Sequence, residues 1–308
     1  MKKLKQYTSL LLLLGLASCG GGSPDLSNAA EKKYTGQRNL ASLNNDNTSD
    51  FVNLLFAYVN AEGVTAANNS QNVSSLHRQA RKIALSVQAN FIYRSAKKPV
   101  NSTEACASSG EIITTGEMEN NIGELSLEYK ECKQGDSLLN GVVVIAVDKY
   151  NADYKIATNT TMTFDSFKIS NTNNHTKYLT GKIKEIIDAE RQTKIVTTHM
   201  HRLFPANNQQ DLVNFTSTFD GSSYDFSGTL NDGKNGKVNL ITKQKIFYNG
   251  YSLPLAGALL MTGAANSKLE VTAIGEKEDE KTGVIDTVFQ IKLDADGDGL
   301  YETESFTF

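Results

Sequence analysis

The sequence predicts an α+β protein that is mainly antiparallel β: a curved, barrel-like or half-barrel meander with one or two N-terminal helices packed on it. Three observations carry that prediction. From about residue 110, apolar and polar residues alternate, as in Leu125, Leu127 and Tyr129 against Glu124, Ser126 and Glu128, or Met162 and Phe164 against Thr161 and Thr163. Period two with frequent Thr, Tyr, Val and Ile marks strands that have one wet face. Turn signals such as "KYNADY", "SNTNN", "NDGKNG" and "DADGDG" separate these runs. The third observation is a short pattern that occurs four times: Leu139-x-Gly141-x-Val143, Leu179-x-Gly181-x-Ile183, Phe226-x-Gly228-x-Leu230 and Leu255-x-Gly257-x-Leu259. Its glycines fall on the apolar side of a strand, where a missing side chain lets a sheet bend sharply or another element come close. Intervals of 40, 47 and 29 residues between them are too uneven for a solenoid, so they read as bends in one sheet.

The chain begins with Lys2, Lys3 and Lys5, the apolar run Leu10–Leu14, and then Leu16-Ala17-Ser18-Cys19. A basic start, a short apolar stretch and small residues make an export signal, too short to span the ~30 Å core of a bilayer. Leu-Ala-Ser-Cys resembles the bacterial lipobox, which implies that residues 1–18 are a lipoprotein signal peptide and that Cys19 is lipidated, with palmitate among its acyl chains. Gly20, rather than Asp, follows the cysteine, which in Gram-negative lipoproteins favours the outer membrane. The expected location is therefore the bacterial outer membrane, lipid-anchored, with periplasmic side and cell surface both open. Removing residues 1–18, which carry three lysines and no acids, moves the formal charge from −3 to −6. A mildly acidic body without a basic block excludes the electrostatics of a nucleic-acid binder.

Residues 19–48 are rich in Gly, Ser, Asn and charge and have no sustained periodicity, so a disordered tether is expected. A helical segment over 49–99 follows. Ser49 is placed to cap a helix whose Phe51, Leu54, Leu55, Tyr58 and Val59 share a face, and Gly63 to end it. After "NNSQN", the residues Val73, Leu76, Ala80, Ile83, Val87 and Phe91 recur at threes and fours, and Pro99 closes the region. The helix of residues 72–94 is expected in the concave side of the sheet or across its open end. Residues 100–308 make the β domain.

Cys106 and Cys132 remain once Cys19 is acylated. An isolated pair in an exported domain predicts a disulfide, because the compartment is oxidising. A reactive or metal-binding pair is the alternative, but no histidine lies near in sequence and the spacing is not that of Cys-x-x-Cys.

"CASSG", "LEYKECKQGDSLLNGVVVIAV", the Gly-centred strands and the C-terminal "LDADGDGLYE" together resemble a loose set of Gram-negative outer-membrane lipoproteins. These share a lipobox, a low-complexity tether, a helical segment, a Cys-pair β region and a C-terminal Asp/Gly loop. The set has no assigned activity, so the resemblance implies location and fold.

Two constellations carry candidate chemistry. Asp294, Asp296 and Asp298 with Gly299 follow the start of a calcium loop, and Glu302 falls at its ninth position, but the twelfth is Ser305 where a bidentate glutamate belongs. The preferred reading is a hairpin between strands 287–293 and 301–307, turning on Asp and Gly, with weak Ca²⁺ binding as an addition. His199 and His201, two apart on a strand, share a side and present two imidazoles, with His175 as a third ligand for zinc or copper. The preferred reading is a solvent-facing pair, with Val196, Met200 and Phe204 as the buried face. No nucleophile elbow, His-Glu-x-x-His, Walker loop or dinucleotide fingerprint is found, so no catalytic residue is assigned. The expected function is a lipid-anchored envelope lipoprotein with a non-catalytic binding or structural role, holding an apolar ligand or an envelope partner on the curved sheet. The alternative is an envelope hydrolase whose metal site uses the aspartates or the histidines.

Overall fold

The computed structural model of the protein describes residues 34–63, 98–171, 176–203, 209–248, 254–278 and 285–307. Within them lie one helix, α1 (Thr48–Gly63), and fourteen strands. The first seven are β1 (Lys98–Ala105), β2 (Ser109–Glu119), β3 (Ile122–Gln134), β4 (Ser137–Asn151), β5 (Ile156–Asn171), β6 (Thr176–Asp188) and β7 (Thr193–Leu203). The rest are β8 (Gln209–Phe219), β9 (Ser223–Asp232), β10 (Gly236–Tyr248), β11 (Pro254–Thr262), β12 (Lys268–Glu278), β13 (Ile285–Asp294) and β14 (Thr303–Thr307). They form a single antiparallel sheet in chain order, a pure meander whose edges β1 and β14 do not pair with each other. The expected α+β, mainly antiparallel, curved meander is therefore what the chain forms, as an open sheet rather than a closed barrel.

A flat open sheet of this width would be unusual, since sheets beyond about ten strands curl or split. The four repeated glycines show how this one bends. Each lies across from a register shift in the strand before it: Tyr129/Cys132 opposite Gly141, Phe164/Phe167 opposite Gly181, Val213/Thr216 opposite Gly228, and Gln244/Phe247 opposite Gly257. A bulge places two residues against one and increases the local twist. Three of these bulges contain a residue with positive φ: Glu131, Ser166 and Asn214. Gly181, at φ 138°, is closed to a side chain by the strand after it, β7. A Cβ there would run into the carbonyl oxygen of His199 and come within 2.9 Å of the Met200 Cα. At Gly228 the same atom would lie 2.5 Å from the Phe215 Cα. At Gly228 and Gly257 the close approach comes from the bulged strand before, and at Gly141 and Gly181 from the strand after, so the apolar-x-Gly-x-apolar pattern marks a strand whose neighbour's backbone comes too close for a side chain.

The inner face carries two apolar clusters. The first comes from β1–β7, with Phe164, Phe167, Val143 and Cys132 fully buried. Tyr129 and Phe167 meet edge to face, with ring centroids 5.3 Å apart. The second comes from β8–β13, with Phe226, Leu230 and Met261 fully buried, and includes Phe51, Val52, Leu54 and Leu55 of α1. Phe56 of the helix reaches the ring of Phe289 at 4.4 Å. α1 begins at Thr48, one residue before the expected start. Thr48 donates its hydroxyl to the Asn44 carbonyl at 2.7 Å, and Asn47 Oδ1 accepts the Asn44 N–H at 3.0 Å, which locks the turn leading in. The described residues of this stretch stop at Gly63, the expected end. The second expected helix, 72–94, lies outside the described residues, as do residues 1–33.

Two sequence boundaries move. The tether expected over 19–48 does not extend through its C-terminal half, because residues 34–47 pack on the sheet. Tyr34, Ala41 and Leu43 are buried. Gln37 N–H donates to the Gly233 carbonyl at 3.0 Å, Ala41 N–H to Lys237 at 2.9 Å, and Ala264 N–H to the Ala41 carbonyl at 2.7 Å. The physical reason is that three apolar side chains and a few backbone bonds to a distant hairpin hold a polar segment that has no pattern of its own. At the other boundary, Lys98 and Pro99 open β1 instead of closing the helical region. Pro99 is tolerated there because β1 is an edge strand.

Candidate functional site

The acidic loop joins β13 to β14, which pair from Leu293↔Thr303 to Phe289↔Thr307. It is the hairpin that the Asp and Gly residues predicted. Asp294 is fully buried and its carboxylate is saturated. Oδ1 accepts Gly297 N–H at 2.8 Å, while Oδ2 accepts Gly299 N–H at 3.1 Å and Lys268 Nζ at 3.2 Å. Burial alone would raise its pKa, but the Lys268 ammonium and the two glycine amides outweigh that and hold the carboxyl below its ordinary range. Asp296 Oδ1 accepts Asp298 N–H at 3.1 Å, Asp298 Oδ1 accepts Leu300 N–H at 2.7 Å, and Glu302 Oε2 accepts Ala295 N–H at 3.1 Å. One oxygen from each of the three aspartates lies within 4.8 Å of the others, so a hard cation has three carboxylates in reach. Lys268 already neutralises the buried one, and Ser305, at the twelfth position, pairs with Ile291 inside β14.

Behind this loop a second network lies on the outer face. Tyr301 donates its hydroxyl to Glu270 Oε2 at 2.8 Å, and Lys243 Nζ donates to the same oxygen at 2.6 Å. Partial burial, then the bond to Glu270, push the Tyr301 phenol up to about 12. Both networks tie β10, β12 and β13 to the final hairpin.

His199 and His201 lie on β7, opposite Lys182 and Thr180 of β6. Their neighbours Val196 and Met200 are buried on the inner face, as expected, and His199 is half-buried on the other side. His175, Phe204 and the His201 side chain are outside the described residues, so the structure does not bring a three-histidine set together. Cys106 and Cys132 form the predicted disulfide, with Cα atoms 5.4 Å apart. It fastens the β1–β2 edge hairpin to β3, and Cys132 is buried in the first cluster. Cys19 precedes the first described residue.

Three features escaped the sequence reading. One is a set of buried polar residues on the inner face of β5–β8, where Thr160 pairs with Glu185 and Ser217 lies across Val196 in the same register. Glu185 lies 3.7 Å from Lys194 Nζ, both about a tenth exposed, and Thr198 and Ser217 beside them are buried. Its signal was present in "KIKEIID", where Glu185 keeps step with Leu179, Gly181 and Ile183. A second is a groove of about 380 Å³ between the β4–β5 and β6–β7 turns, lined by Lys149, Asn151, Thr158, Asn159, Ile186 and Asp188 among others. The third is Lys177, on the inner-face side of β6, whose amine burial pushes down to about 8. Neither the groove nor the lysine's surroundings could be found without strand register.

Fold and site together define a class: an open, curved antiparallel meander with a disulfide-locked first edge and a helix across its last strands. No protein-family model, curated protein or solved structure matches the chain.

Proposed function

We propose that this protein is a lipid-anchored envelope protein of the bacterial outer membrane with a non-catalytic role, structural or partner-binding, exercised through its outer surface and sheet edges. The observation that carries the role is the filled inner face. Phe164, Phe167 and Phe226 are fully buried there, in two separate clusters, so the curved sheet spends its concavity on its own core. A partner then meets what is left: the outer face, the groove above the β4–β5 turn, and the edges β1 and β14. The anchor is supported by the order of Lys2–Lys5, Leu10–Leu14 and Cys19, and by the absence, among the described residues, of any helix long and apolar enough to cross a membrane. Several acyl chains at ~0.8 kcal/mol per buried CH₂ hold a protein where one chain would not.

Palmitate labelling of the wild type and of Cys19→Ala tests this reading. The expected result is a labelled wild type that sediments with envelopes and an unlabelled variant released from them. Envelope association that survives Cys19→Ala would overturn it.

A further inference from the structure

We infer that the body turns the hairpin end formed by β9–β10, β11–β12 and β13–β14 toward a phospholipid surface, with Leu300 entering its interfacial layer. This rests on the lipid-anchor reading and adds an orientation to it. What carries it is the place where the chain joins the body. Tyr34 is 2% exposed, and its hydroxyl donates to the Gln37 carbonyl at 3.0 Å. From there residues 34–47 run along this one end of the sheet. They touch the β9–β10 turn at Gly233, the β11–β12 turn at Ala264 and Ser267, and the last hairpin, where Thr303 Oγ1 meets Asn45 Oδ1 at 3.2 Å. Residues 20–33 separate Cys19 from Tyr34, fourteen positions in all. An unstructured chain of fourteen residues would span about 20 Å root-mean-square. Strands β9–β13 have 9–13 residues, which puts the opposite turns roughly 30–40 Å beyond the point of attachment. The anchor therefore reaches the bilayer easily when the attached end faces it, and only near full extension when the body is reversed.

The surface at that end fits the role. Leu300, at the tip of the last hairpin, is 71% exposed, and Leu40 on the incoming segment is 41% exposed. Asp296 and Asp298 are exposed beside them, so anionic lipid is not the attraction. A zwitterionic surface, entered by an apolar tip and reached by a short tether, is the partner these residues fit.

The chain has no tryptophan, so one substitution makes a clean reporter. The acylated full chain carrying Leu300→Trp, or Tyr154→Trp on the opposite turns, is floated with phosphatidylcholine–phosphatidylethanolamine vesicles, with and without brominated acyl chains. Leu300 and Tyr154 are both exposed, and an unchanged melting midpoint verifies folding. The inference predicts flotation, loss of most of the Leu300→Trp emission to bromine with a blue shift, and no quenching of Tyr154→Trp. Flotation with Tyr154→Trp quenched, or with neither quenched, overturns the orientation and leaves the anchor standing. Failure to float removes the anchor, and the inference with it.

Discussion

The two halves of the sheet reach the same end by different means. Strands β1–β7 bury eighteen apolar residues among the described residues, every one of them from the sheet, and a disulfide fixes their free edge. Strands β8–β13 share a cluster of twenty-one, six of which come from the segment before α1 and from α1 itself. One half is held by a covalent staple near its edge, the other by chain that arrives from the N-terminus and lies across it. Among the described residues, each half of this meander has a tie beyond the pairing of its strands. This chain supplies one of sulfur and one of packing.

That contrast is breakable. The largest effects come from the cores. Phe51→Ala and Phe164→Ala should each cost about 3–5 kcal/mol in urea denaturation, by the cavity left behind. Hydrogen exchange should localise the damage, Phe51→Ala loosening β8–β13 and Phe164→Ala loosening β3–β6. If Phe51→Ala loosens both halves alike, the division is wrong. Replacing Cys106 and Cys132 by Ser should cost about 3 kcal/mol by freeing the loop between them, with β1 and β2 exchanging first and β9–β13 unchanged. Gly181→Ala comes next, at about 2 kcal/mol, because the backbone of β7 must yield to the new Cβ. A neutral Gly181→Ala would remove the close approach of β7 as the reason for glycine at this position.

The smallest effects are in pH dependence. Lys177 titrates near 8 when folded and near 10.5 when unfolded, so the folded chain binds fewer protons between those values. Stability should therefore rise with pH across that window, and Lys177→Met should abolish the slope and raise stability below pH 8. Asp294 gives a slope of the same sign at acid pH. Its depressed pKa stabilises the fold above the ordinary value of 3.8 and ceases to as pH falls through the folded value, so Asp294→Asn should flatten the acid limb of a stability curve.

Much of this fold could be read from residue order, and the rest could not for identifiable reasons. Alternation at Leu125–Tyr129 and Met162–Phe164 gave the strands their inward faces because a half-buried sheet imposes period two. The Gly-x-apolar pattern located the bends because only a missing Cβ admits a neighbouring backbone so close. The disulfide followed from an isolated pair, Cys106 and Cys132, in a chain expected to be exported. Residues 34–47 were missed because their docking depends on partners about two hundred residues away, such as Lys237 and Ala264, and leaves no local period. The Glu185–Lys194 pair was missed for a related reason: a charged residue in step with apolar ones looks like noise until its cross-strand neighbour is known. At the acidic loop, type and turn were legible, but Lys268 as the counter-charge of Asp294 was visible only through the pairing of β12 with β13.

Native mass spectrometry of the full chain, taken from envelopes in detergent, tests the whole account at once. It should find a polypeptide starting at Cys19, carrying acyl mass, lacking the two hydrogens lost to the Cys106–Cys132 bond, and retaining no other molecule once the detergent is stripped. A chain with no acyl mass, or one that keeps an apolar ligand inside the sheet, would contradict it.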